Sequence, residues 1–513
     1  MKIFNRYPAS RWCDWLSVVL SLAGFLAAAW VTWHVYEAVP HIEDELAYAW
    51  QANLLTEGRF SMPSPEYPKS FLVPFVVDHD GLRFSKYPPG WPAVLALGVA
   101  LGLRAWINPL LAGVGVWLTY RLGRRVFNPG VGLLAAALTV TSPFFLLNSG
   151  ALLSHPLGLV LSSGFAWAWL AAFGPNPSGR RWAPTAAASL LLVAMILTRP
   201  MTALAVALPF GLHGLVKLVR GDWEQRRRLL LVALSGSIGV GLYLLWQYSL
   251  TGDPLLNPYT LWWPYDKVGF GPGVGWFEAG HSLLQALMNA RLNLLAGSAD
   301  LFGWGVLSYL FLPFGIWAAR RNFSALLLGN VFLSLVVVYL AYWIGAKLYG
   351  PRYYYEGLYS LTIFSAAGIA WLAGWPLTRD RPRPTVQGWQ KLRPLLVTWL
   401  VGVLVAINLA LYTPIRLNMM VNLYGISAAD QQPFRQAEVQ ALAPALVIVD
   451  TELWMEYGAL LDLENPHLTS PLIFAWTTNP EREAELVRSF PERNVYFYYP
   501  DRQPFKLFDR PQP

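Results

Sequence analysis

A chain of 513 residues that is 55% hydrophobic and 15% aromatic but only 13% charged is too apolar for an ordinary soluble domain. Its net charge of +8 does not point to nucleic acid, because the Lys and Arg residues fall between apolar runs, where membrane topology places them. The single cysteine, Cys13, excludes an internal disulfide and a Cys-based zinc site.

Lys2, Arg6 and Arg11 precede an apolar run from Trp15 to Trp33. That run is longer than the core of a secretory signal, so an uncleaved first membrane helix is expected. Runs of spanning length, or close to it, fall at 15–37, 106–120, 128–147, 157–173, 183–198, 202–216, 229–250, 300–318, 323–343, 357–375 and 395–413. These eleven candidates describe a polytopic α-helical membrane protein. With the N-terminus in the cytoplasm, twenty basic residues lie in the inner segments, among them Arg121, Arg124, Arg125, Arg180, Arg181, Arg226, Arg379, Arg383 and Arg393. Ten lie in the outer loops, and the contrast orients the chain. The 38–105 loop, the 251–299 loop and the C-terminal tail then face outward.

Within the first outer loop, residues 44–57 read as a short helix ended by Gly58, lying along the membrane surface with Asp44, Tyr48 and Gln51 on one face. Residues 91–103, after Pro88-Pro89, read as a second interfacial helix. The tail changes character near residue 416. Segments 445–449, 472–476 and 494–498 read as strands with helical stretches between them, which implies a small extracytoplasmic α/β domain over 416–513 behind a membrane domain over 1–415.

No Asp or Glu lies well inside a run, which weighs against an ion-coupled transporter. The carboxylates gather instead in outer loops. Glu43-Asp44-Glu45 could be no more than a solvated helix N-terminus favoured by the helix dipole. They could equally supply a general base, with neighbouring acids raising proton affinity. Lys86, Arg199 in Thr198-Arg199-Pro200, and Arg352 beside Tyr353 each have a bland reading as interfacial cations. All three nonetheless fall at the same outer level as Asp44, where a lipid-linked phosphate headgroup would sit. Tyr48, Tyr87, His155, Asp266, Lys267 and His281 are candidate substrate contacts, each also compatible with packing or capping. The glycines at 269, 271, 273 and 275 do not open a helix after a strand, so a dinucleotide fingerprint is rejected. Clustered carboxylates can hold a divalent cation as well as a proton, so a divalent cation stays open as a cofactor while no metal ligand is assigned.

Asp44-Glu45 in the first outer loop, Lys86 next to Pro88-Pro89, and a Thr-Arg-Pro turn between the fifth and sixth runs resemble the GT-C glycosyltransferases. Within them the chain is most similar to the family-39 protein O-mannosyltransferase and aminoarabinose-transferase group, over roughly residues 10–415. The resemblance implies a polyprenyl-phosphate-linked sugar donor, a hydroxyl acceptor on a glycan, lipid or protein, and a place in a bacterial plasma membrane. It implies Asp44 as catalytic base, with Glu45 and Glu43 beside it, and Lys86, Arg199, Arg352 and Tyr353 around the donor phosphate. One departure is Tyr87, which stands between Lys86 and Pro88. The α/β tail is not a constant part of the group. A sugar-lipid carrier or flippase is the rival expectation, since it would use the same cations without needing Asp44.

Overall fold

The computed structural model describes residues 8–175, 181–377, 392–477, 479–502 and 504–512. Lys2, Arg6, Arg180, Arg379, Arg381, Arg383 and Lys391 lie outside the described residues. The molecule is an integral-membrane helical bundle with a small sheet near its C-terminus. Among the described residues, seven helices are long and apolar enough to cross a membrane, or nine if each of two bent pairs is one span. The expected run 128–147 is one such pair, Pro129–Val140 and Pro143–Gly150, bent by 61°. The break has a local cause, because Ser142 accepts a hydrogen bond from the Phe145 N–H and Pro143 starts a new helix. The runs 106–120 and 183–198 are the helices Ile107–Val126 and Trp182–Thr198.

Two expectations are corrected. Residues 283–300, placed by sequence in an outer loop, form the helix Leu283–Asp300, started by a capping box between Ser282 and Gln285. Its Leu284, Leu287, Met288 and Leu295 are exposed, as a membrane-facing side requires, whereas Asn293 faces inward and is buried. The run 300–318 is correspondingly not one straight span. Leu283–Asp300 and Gly305–Ala319 meet at 94°.

The first long loop is mostly structured. Its helix Glu43–Thr56 ends at Glu57, and Gly58 follows with φ +75°, which glycine adopts without strain. It does not lie on a surface, because Leu46, Ala47, Tyr48, Trp50 and Gln51 are all buried. A hairpin not foreseen from sequence pairs Val76–His79 with Leu82–Ser85, and Met62–Pro63 adds a third strand. Its turn is Asp80-Gly81, both with positive φ, the dipeptide that such tight turns favour.

At the C-terminus Ala445–Val449 pairs in parallel with Leu472–Trp476 and Asn494–Tyr498, and Leu507–Phe508 adds an antiparallel edge. Every residue of the central strand is buried. This sheet docks on the first loop. Phe71 packs against Leu446, Ile448 and Ile473, Ser70 accepts from the Trp476 N–H at 2.9 Å, and Arg104 pairs with Asp462 through both nitrogens. The linker before the sheet is pinned as well, since the Ala428 N–H donates to Glu37 at 2.6 Å.

Candidate active site

Four chain segments, together with residues from 257–268 and 339–344, line a cavity of about 570 Å³ at the loop-bearing end of the bundle. The helix Glu43–Thr56 contributes Glu43, Asp44 and Tyr48 from its first turns. The strand Leu82–Ser85 delivers Lys86 and Tyr87, and the chain then turns through Pro88-Pro89 into the helix Gly90–Ala100. Gly90 permits a close approach there, because a Cβ would come within 2.4 Å of the Thr198 hydroxyl. The Lys86 loop is thereby pressed onto the turn that carries Arg199. The fourth segment is the 3-10 turn Arg352–Gly357, which contributes Arg352 and Tyr353.

Each of the three cations facing the cavity has its own carboxylate. Arg352 Nη2 lies 3.4 Å from Asp44 Oδ2, Arg199 Nε lies 3.4 Å from Glu356 Oε1, and Lys86 Nζ lies 3.5 Å from Asp266 Oδ2. These separations exceed the roughly 2.7–2.9 Å of a tight charge-assisted hydrogen bond. The pairs compensate charge without saturating the donors, so an anion entering the cavity can compete for them.

Asp44 holds the central position. Its Oδ1 accepts a hydrogen bond from the Tyr87 hydroxyl at 2.7 Å. Burial pushes its carboxyl up, but Arg352, the Tyr87 hydroxyl, Lys86 and Arg199 outweigh burial and hold it below the usual aspartate value. Glu43 shows the opposite balance, burial raising its carboxyl above the usual glutamate value. Lys86 is caged by aromatic rings, with Nζ 3.4 Å from the Phe75 ring centroid, 4.8 Å from that of Tyr259 and 4.9 Å from that of Trp263. Burial lowers its ammonium to about 8, against the pull of Asp266 and Asp44. Phe75 itself has φ +63°, a conformation that costs a bulky residue about 1–3 kcal/mol and persists where surrounding packing enforces it. Tyr353 lies between the two arginines, its ring centroid 5.7 Å from the Arg352 guanidinium and 5.8 Å from that of Arg199.

The structure thus brings together Glu43, Asp44, Tyr48, Lys86, Tyr87, Arg199, Asp266, Arg352 and Tyr353. Asp266, expected to contact sugar, is instead occupied as the counter-ion of Lys86 and accepts from the Tyr342 hydroxyl and the Trp343 indole N–H. Four expected residues stand elsewhere. Glu45, expected beside Asp44 in catalysis, faces away from the cavity. Its two oxygens accept from the backbone N–H groups of His41 at 2.7 Å and Leu152 at 2.6 Å, and burial raises its carboxyl to about 7. The helical turn explains this, since adjacent residues point about 100° apart. His155 is buried behind the cavity wall against Glu356, with Nδ1 at 3.0 Å from Oε1. His281 is buried on the Leu340 carbonyl and stacks on Phe270, and Lys267 is exposed to solvent outside the cavity. The Asp44 side chain retains only 17% exposure. Sequence reasoning missed the aromatic lining of Phe75, Tyr259, Trp263, Tyr339, Tyr342 and Trp343. Among the described residues no three His, Cys, Asp or Glu side chains gather as a metal site requires.

No family model matches the chain, and no curated protein matches it by sequence. Solved structures do resemble it. ArnT from Cupriavidus metallidurans in the apo state aligns with a TM-score of 0.56 and 16% identity, over 95% of this chain and 90% of ArnT. The same protein bound to undecaprenyl phosphate gives 0.56 and 15%, over 94% and 89%. The oligosaccharyltransferase of Archaeoglobus fulgidus in the apo form gives 0.50 and 13%, over 93% of this chain and 69% of that one. At such identities the likeness concerns architecture alone, and the chain shares the membrane fold of these solved proteins.

Proposed function

We propose that this GT-C-fold membrane protein is an inverting glycosyltransferase that moves a sugar from a polyprenyl-phosphate donor to an acceptor hydroxyl. The reaction is placed at the loop-bearing face, outside a bacterial plasma membrane, with the N-terminus in the cytoplasm and the C-terminal α/β region, residues 416–513, outside. The observation that carries the reading is one carboxylate, Asp44, set among Arg352, Arg199 and Lys86 in a single cavity. The fold likeness to a protein solved with undecaprenyl phosphate supports the choice of donor.

The chemistry follows from the geometry. The acceptor oxygen attacks the anomeric carbon as the bond from that carbon to the phosphate oxygen breaks, and the bonding pair leaves with the phosphate. The acceptor proton passes to Asp44, whose neighbouring cations keep it ionised and ready to accept one. The leaving phosphate is already a stabilised anion, so cations serve it better than a general acid would. Attack on the face opposite the phosphate inverts the anomeric centre, by the logic of a single-displacement glycosidase. Tyr353, whose ring is near both Arg352 and Arg199 and stacks on Tyr339, helps to fix the two guanidiniums on the phosphate side.

Asp44→Asn tests the assignment, because the amide preserves shape while removing basicity. Transfer of a radiolabelled sugar from an undecaprenyl-phosphate donor pool should fall by about 10²–10⁴ while donor binding persists. Glu43→Gln should cost less. Wild-type transfer by Asp44→Asn would end the role of Asp44 as base, and a carrier would move sugar-lipid equally well in both forms without yielding a glycosylated product.

A further inference from the structure

Behind the cavity wall lies a second set of charged groups that the transfer chemistry does not use. Glu356 is fully buried, as is His155, and the two meet at 3.0 Å through Nδ1 and Oε1. The same Oε1 lies 3.4 Å from Arg199 Nε, while Oε2 has no hydrogen-bond partner among the described residues. The guanidinium hydrogen bonds of Arg199 go to hydroxyls alone, from Nε to Thr202 at 3.2 Å, from Nη1 to Ser154 at 3.1 Å and from Nη2 to Tyr339 at 3.2 Å. Glu356 is therefore the only carboxylate paired with Arg199 among the described residues. Space for it is reserved by Gly158, where a Cβ would stand 2.6 Å from Oε1. The same 3-10 turn carries Arg352 one helical turn before Glu356, so one segment gives a cation to Asp44 and a carboxylate to Arg199.

We infer that Glu356, seated on His155, is the positioning residue and counter-ion of Arg199, and that it sets how tightly the cavity holds a phosphate anion. The inference rests on the donor-site reading above. Its physical basis is that neutral hydroxyls fix the direction of a guanidinium without reducing its charge, whereas a carboxylate at 3.4 Å does both. A transferase has reason to temper its phosphate clamp. Transfer converts a phosphodiester into a phosphate monoester that gains a further negative charge near neutral pH, and that product has to leave.

The test uses undecaprenyl phosphate as the probe and the full-length protein in lipid nanodiscs. Glu356→Gln keeps the shape of the group beside Arg199 but removes the charge, so affinity for the probe should rise by about three- to tenfold, within the range of a coupling between neighbouring residues. The rise should disappear when the same substitution is made in Arg199→Ala. A merely structural Glu356 would weaken binding, or change it equally in both backgrounds, and either result overturns the inference. If Glu356→Gln does not accumulate as a monodisperse protein, Gly158→Ala displaces the same carboxylate and is read in the same cycle with the same expected sign. Loss of binding in Arg352→Ala and Arg199→Ala with no change in Glu356→Gln overturns the counter-ion role alone. Unchanged binding in both arginine variants removes the donor site and the inference with it.

Discussion

The two ends of the bundle use arginine in opposite ways. At the end away from the loops, Arg125 donates to the Leu170 carbonyl at 2.9 Å, Arg228 to that of Ala172 at 3.0 Å and Arg393 to that of Leu372 at 3.0 Å. Those carbonyls belong to the last turns of helices, where intrahelical donors run out and the negative end of the dipole lies, although Leu170 also accepts from the Gly174 N–H. At the loop-bearing end, the guanidiniums of Arg199 and Arg352 meet hydroxyls and carboxylates around a cavity. Positive charge at the first end is accounted for by topology and capping. At the second end Arg104 ties the C-terminal sheet to the first loop through Asp462, whereas Arg199 and Arg352 face the cavity, which is what makes them candidates for binding an anion.

The comparison would break if exchanging roles had no consequence. Arg352→Ala should produce the largest effect, weakening undecaprenyl phosphate binding by about 1.5–3 kcal/mol, the range for hydrogen bonds to charged groups. Arg352→Lys should recover only part, because a point charge cannot reproduce the fork of a guanidinium. Arg393→Ala, at the other end, should bind the probe as the native protein does. Equal affinities in all of these variants would erase the distinction between the two ends.

A smaller effect separates Lys86 from the arginines. Its ammonium is lowered to about 8 by burial, so the charge is present below that pH and is lost as pH rises through it. Affinity for undecaprenyl phosphate should therefore fall several-fold between about pH 7 and pH 9, a trend the arginines cannot produce because they stay charged throughout. Lys86→Arg should flatten the profile over this interval. A flat profile in the native protein would show that Lys86 stays with Asp266 and takes no part in binding.

Much of this arrangement was legible in the sequence, for reasons that also explain the gaps. Apolar length alone marks most of the membrane helices, and alternation with turn residues marks the three parallel strands of the tail. Asp44, Lys86, Arg199 and Arg352 stood out because charge is scarce in so apolar a chain. Leu283–Asp300 escaped because Asn289, Arg291 and Asn293 interrupt its apolar pattern, Asn293 on the buried side and Arg291 on the exposed one. Asp80-Gly81 did carry a hairpin signal that hydropathy overshadowed. The pairings were beyond reach. His155 and Glu356 are 201 residues apart, Lys86 and Asp266 are 180 apart, and nothing local in either segment announces the partner. The aromatic lining is hidden for another reason, since in a chain with 25 Trp, 24 Tyr and 26 Phe no single ring is distinctive.

The smallest expected effect sharpens the comparison from its structural side. Arg228 is fully buried at the end away from the loops, where its Nη1 caps the Ala172 carbonyl and its guanidinium lies 5.2 Å from the Phe173 ring centroid. Glu224, one turn earlier, is 4.0 Å from its Nε and half exposed, so that pair adds little. Arg228→Ala removes one charge-assisted hydrogen bond to a helix end and one cation–π contact, but it also relieves the cost of keeping two guanidinium nitrogens without a hydrogen-bond partner among the described residues. The opposing terms leave a net destabilisation of about 1 kcal/mol, seen as a fall of a few degrees in the thermal midpoint of the solubilised protein. Affinity for undecaprenyl phosphate should not change. A loss of affinity in Arg228→Ala would mean that this arginine reaches the cavity through the Arg199 helix pair, and the two ends could no longer be treated as separate in function.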